Sequence, residues 1–242
     1  TGRAPRPSYL SIQDDRVEVR DAAPVWGQGI WDTDAWLKEQ CGDNDLITLA
    51  AGPAGENLVP FACLTSEAYR QAGRGGAGAV FGSKNLKAVA VRGTGAVHVP
   101  DMPAFLKLYD DIFHNHLVTD ANLWANAEGT PMIVNVAQAT GLLPTRGFSE
   151  GVFEGAEGIN SAAVQQRKVR NRACATCPLA CGQLTRTADG LMEGPEYETL
   201  GLGGSNCGMA TLDAVAAFNR LCDNLGLDTI STGNVIWLAM LM

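Results

Sequence analysis

Cys174, Cys177 and Cys181 place three thiols within eight residues, at i, i+3 and i+7, in the run Cys174-Ala175-Thr176-Cys177-Pro178-Leu179-Ala180-Cys181-Gly182. A proline and a glycine hold that backbone in a tight loop. Thiolates so spaced can converge on one soft metal centre and leave one coordination position to fill. An iron–sulfur cluster takes four cysteines, so a fourth would arrive from elsewhere. Zinc would accept three cysteines and a histidine. A disulfide leaves one thiol over, so the spacing favours a metal or a cluster.

A second stretch, Gly73-Arg74-Gly75-Gly76-Ala77-Gly78, fits the pattern G-x-G-x-x-G. A dinucleotide site needs a strand before such a loop and a helix after it. Residues 66–72 read as a brief helix capped by Ser66, and residues 86–91 as a strand, so the order is wrong for a Rossmann site. What remains is a backbone able to approach an anion, with the planar fork of Arg74 suited to phosphate or a conjugated ring. A tight structural loop explains the glycines equally well.

The elements that must position these residues change in character along the chain. Residues 9–19 read as a hairpin about Asp14-Asp15. Thr33 reads as the N-cap of a helix reaching Gln40 and closed by Gly42. Residues 46–50 and, more weakly, 61–64 are strand-like. After Pro100 the pattern turns helical. Asp101 caps a helix whose Phe105, Leu106, Tyr109, Ile112, Phe113 and His116 form a core stripe. Further helices are expected over residues 132–139, over 161–170 with Asn160 as cap, and from Thr211 to Gly226. The expected fold class is α+β: a strand-rich part over residues 1–98, then a mainly helical part over residues 99–242 that carries the cysteines.

With 18 basic and 26 acidic residues the net charge is −8, which offers no general footprint for nucleic acid. Seven cysteines, an odd number in a chain too large to need disulfide staples, point to a reducing, cytoplasmic setting. The apolar run of residues 235–242 is too short to span a bilayer. It has no helix stop, and it reads as the interior of a longer protein.

Five blocks, in order, resemble the aldehyde:ferredoxin oxidoreductase family of tungsten enzymes. They are Gly52-Pro53-Ala54-Gly55-Glu56-Asn57-Leu58, the glycine-rich run from Ala72 to Ala88, the cysteine run, Glu193-Gly194-Pro195-Glu196-Tyr197-Glu198, and the run from Cys222-Asp223-Asn224-Leu225-Gly226-Leu227-Asp228 to Gly233. The resemblance implies a tungsten held by two pterin cofactors (a tungstopterin) beside a [4Fe-4S] cluster. It further implies oxidation of aldehydes to carboxylic acids, with electrons passed to ferredoxin or another electron-transfer protein. A homo-oligomer or a complex with electron-transfer subunits would fit it, while nucleic acid and membrane would not. By position, Arg74, Gly75, Ala77, Gly78, Asp223, Leu227 and Asp228 would contact pterin. Cys174, Cys177 and Cys181 would be cluster ligands, and Glu198 the acid/base near the metal, as a buried carboxyl with a raised pKa. Read without the resemblance, Glu196 and Glu198 are first-turn charges of a helix, and residues 223–228 an ordinary helix end.

The resemblance also marks departures. The family's fourth cluster cysteine, a second pterin motif and a histidine beside the metal would lie beyond Met242, and early pterin-contacting strands before Thr1. Where some members carry E-x-x-H for a metal between subunits, this chain has Ala217 and Arg220. Cys207 is near enough in sequence to be a rival fourth ligand, although family order argues against it. Cys41, Cys63 and Cys222 suit packing, and His98, His114 and His116 have no partner at ligand spacing. The tungsten subunit of a benzoyl-CoA reductase is an alternative within the same fold. A non-catalytic zinc or iron–sulfur module is an alternative outside it.

Overall fold

A computed structural model describes residues 2–242. The chain folds into two compact units. Residues 1–95 with 220–232 make the first, and residues 96–219 with 233–242 the second.

In the first unit, Asp14 takes a left-handed turn conformation between β1 (Ser8–Gln13) and β2 (Arg16–Asp21), the expected antiparallel hairpin. Helix α1 (Ile30–Cys41) starts four residues earlier than expected. Gly29 is its N-cap and Thr33 lies within it, its hydroxyl donating 2.7 Å to the Gly29 carbonyl. Such back-bonding occupies a hydroxyl that the sequence presents as a cap. Gly42 closes the helix at φ 64°. There follow β3 (Ile47–Ala51), the single turn α2 (Pro53–Glu56), β4 (Leu64–Ser66), β5 (Arg70–Ala72), α3 (Ala77–Ser83) and β6 (Leu86–Arg92). The sheet order is β2-β1-β6-β3-β4-β5, with β1 and β6 its one parallel pair. Tyr9, Leu37, Leu46, Ala50, Ala88 and Ala90 are in its core.

Residues 66–72 are therefore not a helix. Their turn is made by Glu67 and Ala68 at φ 51° and 68°, a left-handed conformation seldom adopted by such side chains. The glycine loop thus does run from a strand into a helix. The Rossmann reading still fails, for a different reason: β5 and β6 are separated by β3 and β4 and run antiparallel, so no parallel βαβ unit exists.

The second unit contains α4 (Met102–Ile112), α5 (Leu123–Ala127), α6 (Met132–Thr140), α7 (Ser161–Arg167), the strands β7 (Lys168–Arg172), β8 (Gly182–Thr187) and β9 (Gly190–Glu193), and the short α8 (Tyr197–Thr199). Helices α9 (Leu212–Leu225) and α10 (Thr229–Met240) belong partly to each unit, the turn between them to the first. Val134, Leu143, Phe153, Ile159, Val164, Leu200 and Val215 form its core.

Two expectations fail here. No residue of α4 is buried, and Phe105, Leu106 and Tyr109 are about half exposed. His116 lies in a following π-turn, not in a core stripe. Apolar periodicity defines a helix face without defining what covers it. Helix α7, capped by Asn160 as expected, ends at Arg167, because residues 168–172 pair with β8.

Candidate functional site

In the first unit four stretches of backbone meet where no side chain fits. A Cβ on Gly82 would lie 1.9 Å from the Gly55 carbonyl oxygen, and one on Gly55 would lie 2.6 Å from that of Gly78. On Gly78 it would lie 2.4 Å from the Cys63 carbonyl oxygen, and on Gly52 2.2 Å from that of Leu225. These contacts clamp α2, α3, residues 62–63 and the end of α9 around the glycine loop. Gly75 and Gly76 hold φ of 106° and 75°, which glycine adopts without strain. The amides of Gly75, Gly76 and Ala77 make no hydrogen bond among the described residues. Gly78 differs from the expectation: its N–H already donates 3.0 Å to Ala62, so its part is close packing and not anion binding.

Beside this loop lie two buried carboxylates. Asp223 is 4% exposed, and its Oδ1 accepts from Gln71 Nε2 at 2.5 Å. Gln71 in turn accepts from the Cys63 thiol at 2.5 Å. Sequence reasoning missed Gln71, since a lone glutamine on a short edge strand gives no signal. Asp228, 6% exposed, caps α10. It accepts from the Ile230 and Ser231 amides at 3.2 and 3.0 Å and from the Ser231 hydroxyl, and Arg74 Nε stands 3.6 Å away. Arg74 itself is 68% exposed, leaving most of its fork open. Leu227 joins the cluster through backbone, donating 2.9 Å to Cys222 and bridging Ala62. Burial, then the charges of the two aspartates, pushes the Cys63 and Cys222 thiols up to about 12. Both stay protonated at neutral pH and act as packing groups.

A buried ion pair underlies the clamp. Lys87, fully buried, donates 2.8 Å to the Gln28 carbonyl and pairs with Glu56, whose other oxygen accepts from Gly27 at 2.7 Å. Burial pulls the lysine below its ordinary value. This pair was invisible in sequence, where a lysine within a strand reads as solvent-facing.

In the second unit, the thiol loop joins β7 to β8. Thr176 and Ala180 take left-handed conformations, and Cys177 N–H closes a turn on Cys174 at 3.0 Å. Side-chain amides brace it: Asn126 donates 2.9 Å to Leu179, Asn171 donates 2.9 Å to Ala180, and Gln183 donates 3.2 Å to Cys181. Cys174 is exposed, Cys177 and Cys181 half-buried. Burial first, then the charge of Glu196, raises the Cys181 thiol. Among the described residues no three His, Cys, Asp or Glu side chains are drawn together to hold a metal ion. As a donor set, three sulfurs on one loop fit a soft metal or cluster. Cys207 is buried elsewhere, its thiol donating to the Gly233 and Leu202 carbonyls at 3.2 and 3.5 Å.

Glu196 accepts from the Thr130 hydroxyl, which accepts from the Tyr197 amide at 3.0 Å, fixing the start of α8. Glu198 is exposed, which corrects the expectation of a buried carboxyl. At the E-x-x-H positions, Arg220 lies 5.0 Å over the ring of Trp31, a packing role.

Among the described residues no helix is long and apolar enough to cross a membrane. Residues 1–93 match the family model "Aldehyde ferredoxin oxidoreductase, N-terminal domain", and residues 106–242 match "domains 2 & 3" of the same enzyme. Curated relatives include the tungsten-containing aldehyde ferredoxin oxidoreductases of Thermococcus kodakarensis, 42% identical, and Pyrococcus furiosus, 40% identical, each over 99% of this chain. The chain spans 40% of the length of these relatives. An aliphatic sulfonate oxidoreductase WOR-like subunit of Pyrococcus furiosus is 29% identical over 98% of the chain and 41% of its own length. A solved chain of the active-site complex BamBC of benzoyl coenzyme A reductase superposes with a TM-score of 0.78 at 25% identity, covering 99% of this chain and 38% of that one. The mixed helices and strands, the glycine-clamped loop and the thiol loop thus belong to one lineage: the chain is a member of the aldehyde ferredoxin oxidoreductase family.

Proposed function

We propose that this chain is the part of a tungsten–pterin oxidoreductase that holds one pterin and three ligands of a [4Fe-4S] cluster, in an enzyme converting aldehydes to carboxylic acids. The observation that carries this reading is the glycine-clamped loop with two buried carboxylates beside it. Open amides at Gly75 and Ala77 and the largely exposed fork of Arg74 suit a pterin phosphate. Asp223 and Asp228 offer acceptors for ring N–H donors; Asp228 also caps α10, and Asp223 is oriented by Gln71. Gly78 and Leu227 would contribute shape. On this reading residues 1–98 are the second half of a β-rich cofactor base, and residues 99–242 open the helical part.

When bound, the tungsten–pterin group supplies two-electron redox chemistry at the aldehyde carbon, and a cluster on Cys174, Cys177 and Cys181 would carry electrons onward singly to ferredoxin or a similar acceptor. Glu198 would hold or move a proton at its carboxylate. Its exposure in this chain makes Glu196, fixed by Thr130, the better-ordered carboxylate of the pair. A benzoyl-CoA reductase-like activity is the second reading, favoured by the likeness to BamBC. A non-catalytic zinc module would leave the glycine clamp without a purpose.

Metal analysis of the full-length protein prepared without oxygen is the test. About one tungsten and about four irons per chain are expected, with aldehyde-dependent reduction of an acceptor. Zinc without pterin overturns the reading, and reduction of an aromatic thioester without aldehyde oxidation selects the second.

A further inference from the structure

The three-stranded sheet of the second unit sorts its side chains by register. Gln183, Thr185 and Thr187 of β8 are buried, and so is Met192 opposite Thr185. Alternation puts Leu184 and Arg186 on the other face. Paired residues share a face, so Arg170 (opposite Leu184) and Arg172 (opposite Gly182) lie there too. Leu191, opposite Arg186, is 42% exposed, while Glu193, opposite Leu184 on the same face, is 8% exposed.

The charges on this face are mostly uncompensated. Arg172 Nε lies 3.5 Å from Glu193. Arg170 and Arg186 are exposed and make no hydrogen bond or ion pair among the described residues. The face carries three arginines and one carboxylate, Glu193, in a chain whose net charge is −8. The patch is therefore a local reversal of sign. It is also adjacent to the thiol loop, because that loop joins β7 to β8. At about 3.3 Å per residue, Arg170 lies about 7 Å and Arg186 about 13 Å along the strands from the rung where the loop ends. With Arg172 held by Glu193 and the exposed Arg170 and Arg186 unpaired on the same face beside the thiol loop, the patch suits an anionic partner. The acidic balance of the rest of the chain disfavours a long polyanion such as nucleic acid.

We propose that the Arg170–Arg172–Arg186 face docks a small acidic one-electron carrier protein beside the group held by Cys174, Cys177 and Cys181. This rests on reading that loop as cluster ligands. Each oxidised carrier takes one electron and no proton, so a two-electron oxidation reduces two carriers in succession.

The test uses the full-length, cofactor-loaded protein and the variant Arg170→Glu/Arg186→Glu, with Arg170→Gln/Arg186→Gln as a milder second variant. An oxidised acidic ferredoxin is titrated calorimetrically onto each oxidised protein, without aldehyde. Binding should weaken about tenfold or more at low salt in the Glu variant and less in the Gln variant, and the salt dependence of the parent should flatten. Aldehyde turnover with a small neutral dye as acceptor should match the parent. Unchanged carrier binding overturns the proposal. So does a loss of dye turnover with carrier binding retained, which would make these arginines internal to the enzyme. Tighter, arginine-dependent binding of duplex DNA or anionic vesicles than of ferredoxin also overturns it. If iron is absent from the thiol loop, the functional reading fails, whereas arginine-dependent carrier binding is still read directly.

Discussion

Around Asp223 and Asp228 the protein is held by backbone against backbone; around Cys174, Cys177 and Cys181 it is held by side-chain amides reaching across to single carbonyls. Gly52, Gly55, Gly78 and Gly82 leave no room for a methyl group, and the fully buried Lys87–Glu56 pair lies beneath them. The thiol loop has Asn126, Asn171 and Gln183, one exposed cysteine and two half-buried ones. The difference matches what each would bind. A large rigid organic group needs a cavity shaped before it arrives, whereas thiolates can be drawn together by the metal itself, whose binding energy orders the loop.

The largest effect should come from the ion pair, and it would break the comparison most directly. Lys87→Met leaves a buried carboxylate, and Glu56→Gln leaves a buried ammonium; each should cost about 3–5 kcal/mol. The double variant should be less destabilised than either single one, read by urea denaturation. Because burial lowers the lysine pKa in the folded state, the unfolded chain binds that proton more tightly. Stability should therefore rise with pH in the window just below the ordinary lysine value of 10.5, and Lys87→Met should remove that slope. A glycine clamp indifferent to Lys87→Met would mean the pair does not support it.

Next comes the clamp. Gly82→Ala drives a methyl into the Gly55 carbonyl and should cost about 3 kcal/mol. Gly73→Ala, which meets nothing within 4 Å, should stay within about 0.5 kcal/mol. Equal effects in the two variants would dissolve the idea of a preformed cavity.

These two sites also divide what sequence could and could not tell. The Asp14 turn, the Asp101 and Asn160 caps and the Gly226 terminus were legible because each is a local rule applied to a local residue. So was the close spacing of the three thiols. Residues 66–72 misled because Ser66 resembles a cap, while the turn uses Glu67 and Ala68 without glycine or asparagine. Lys87, Gln71 and the clash partners of Gly82 were illegible for another reason. Each takes its role from a residue at least 26 positions away or from the other side of a sheet, and periodicity carries no such information.

A smaller effect should separate the thiol loop from the clamp. Asn171→Ala removes donors to Asn126 and Ala180 and should cost about 1 kcal/mol, within the range of a typical hydrogen bond. Its clearer readout is kinetic: iron should be lost faster to a chelator, with the denaturation midpoint scarcely moved. If Asn171→Ala instead unfolds the protein, the loop is structural in the way the clamp is.

The smallest effect on stability, and the sharpest contrast in chemistry, concerns the cysteines themselves. Cys174 is exposed, so Cys174→Ser in metal-free protein should shift stability by no more than about 0.5 kcal/mol. Cys63 and Cys222 are buried, with thiols pushed up to about 12, so near pH 8 almost none of either is thiolate. An alkylating reagent at that pH should therefore modify Cys174 while the protein is folded, and reach Cys63 and Cys222 only after denaturant is added. Labelling followed by peptide mapping measures this residue by residue. Equal rates at Cys63 and Cys174 would show that the clamp opens on the timescale of the reaction. Bonded to Gln71, Cys63 would then mark the opening route, since the contact that orients Asp223 would be the first to part.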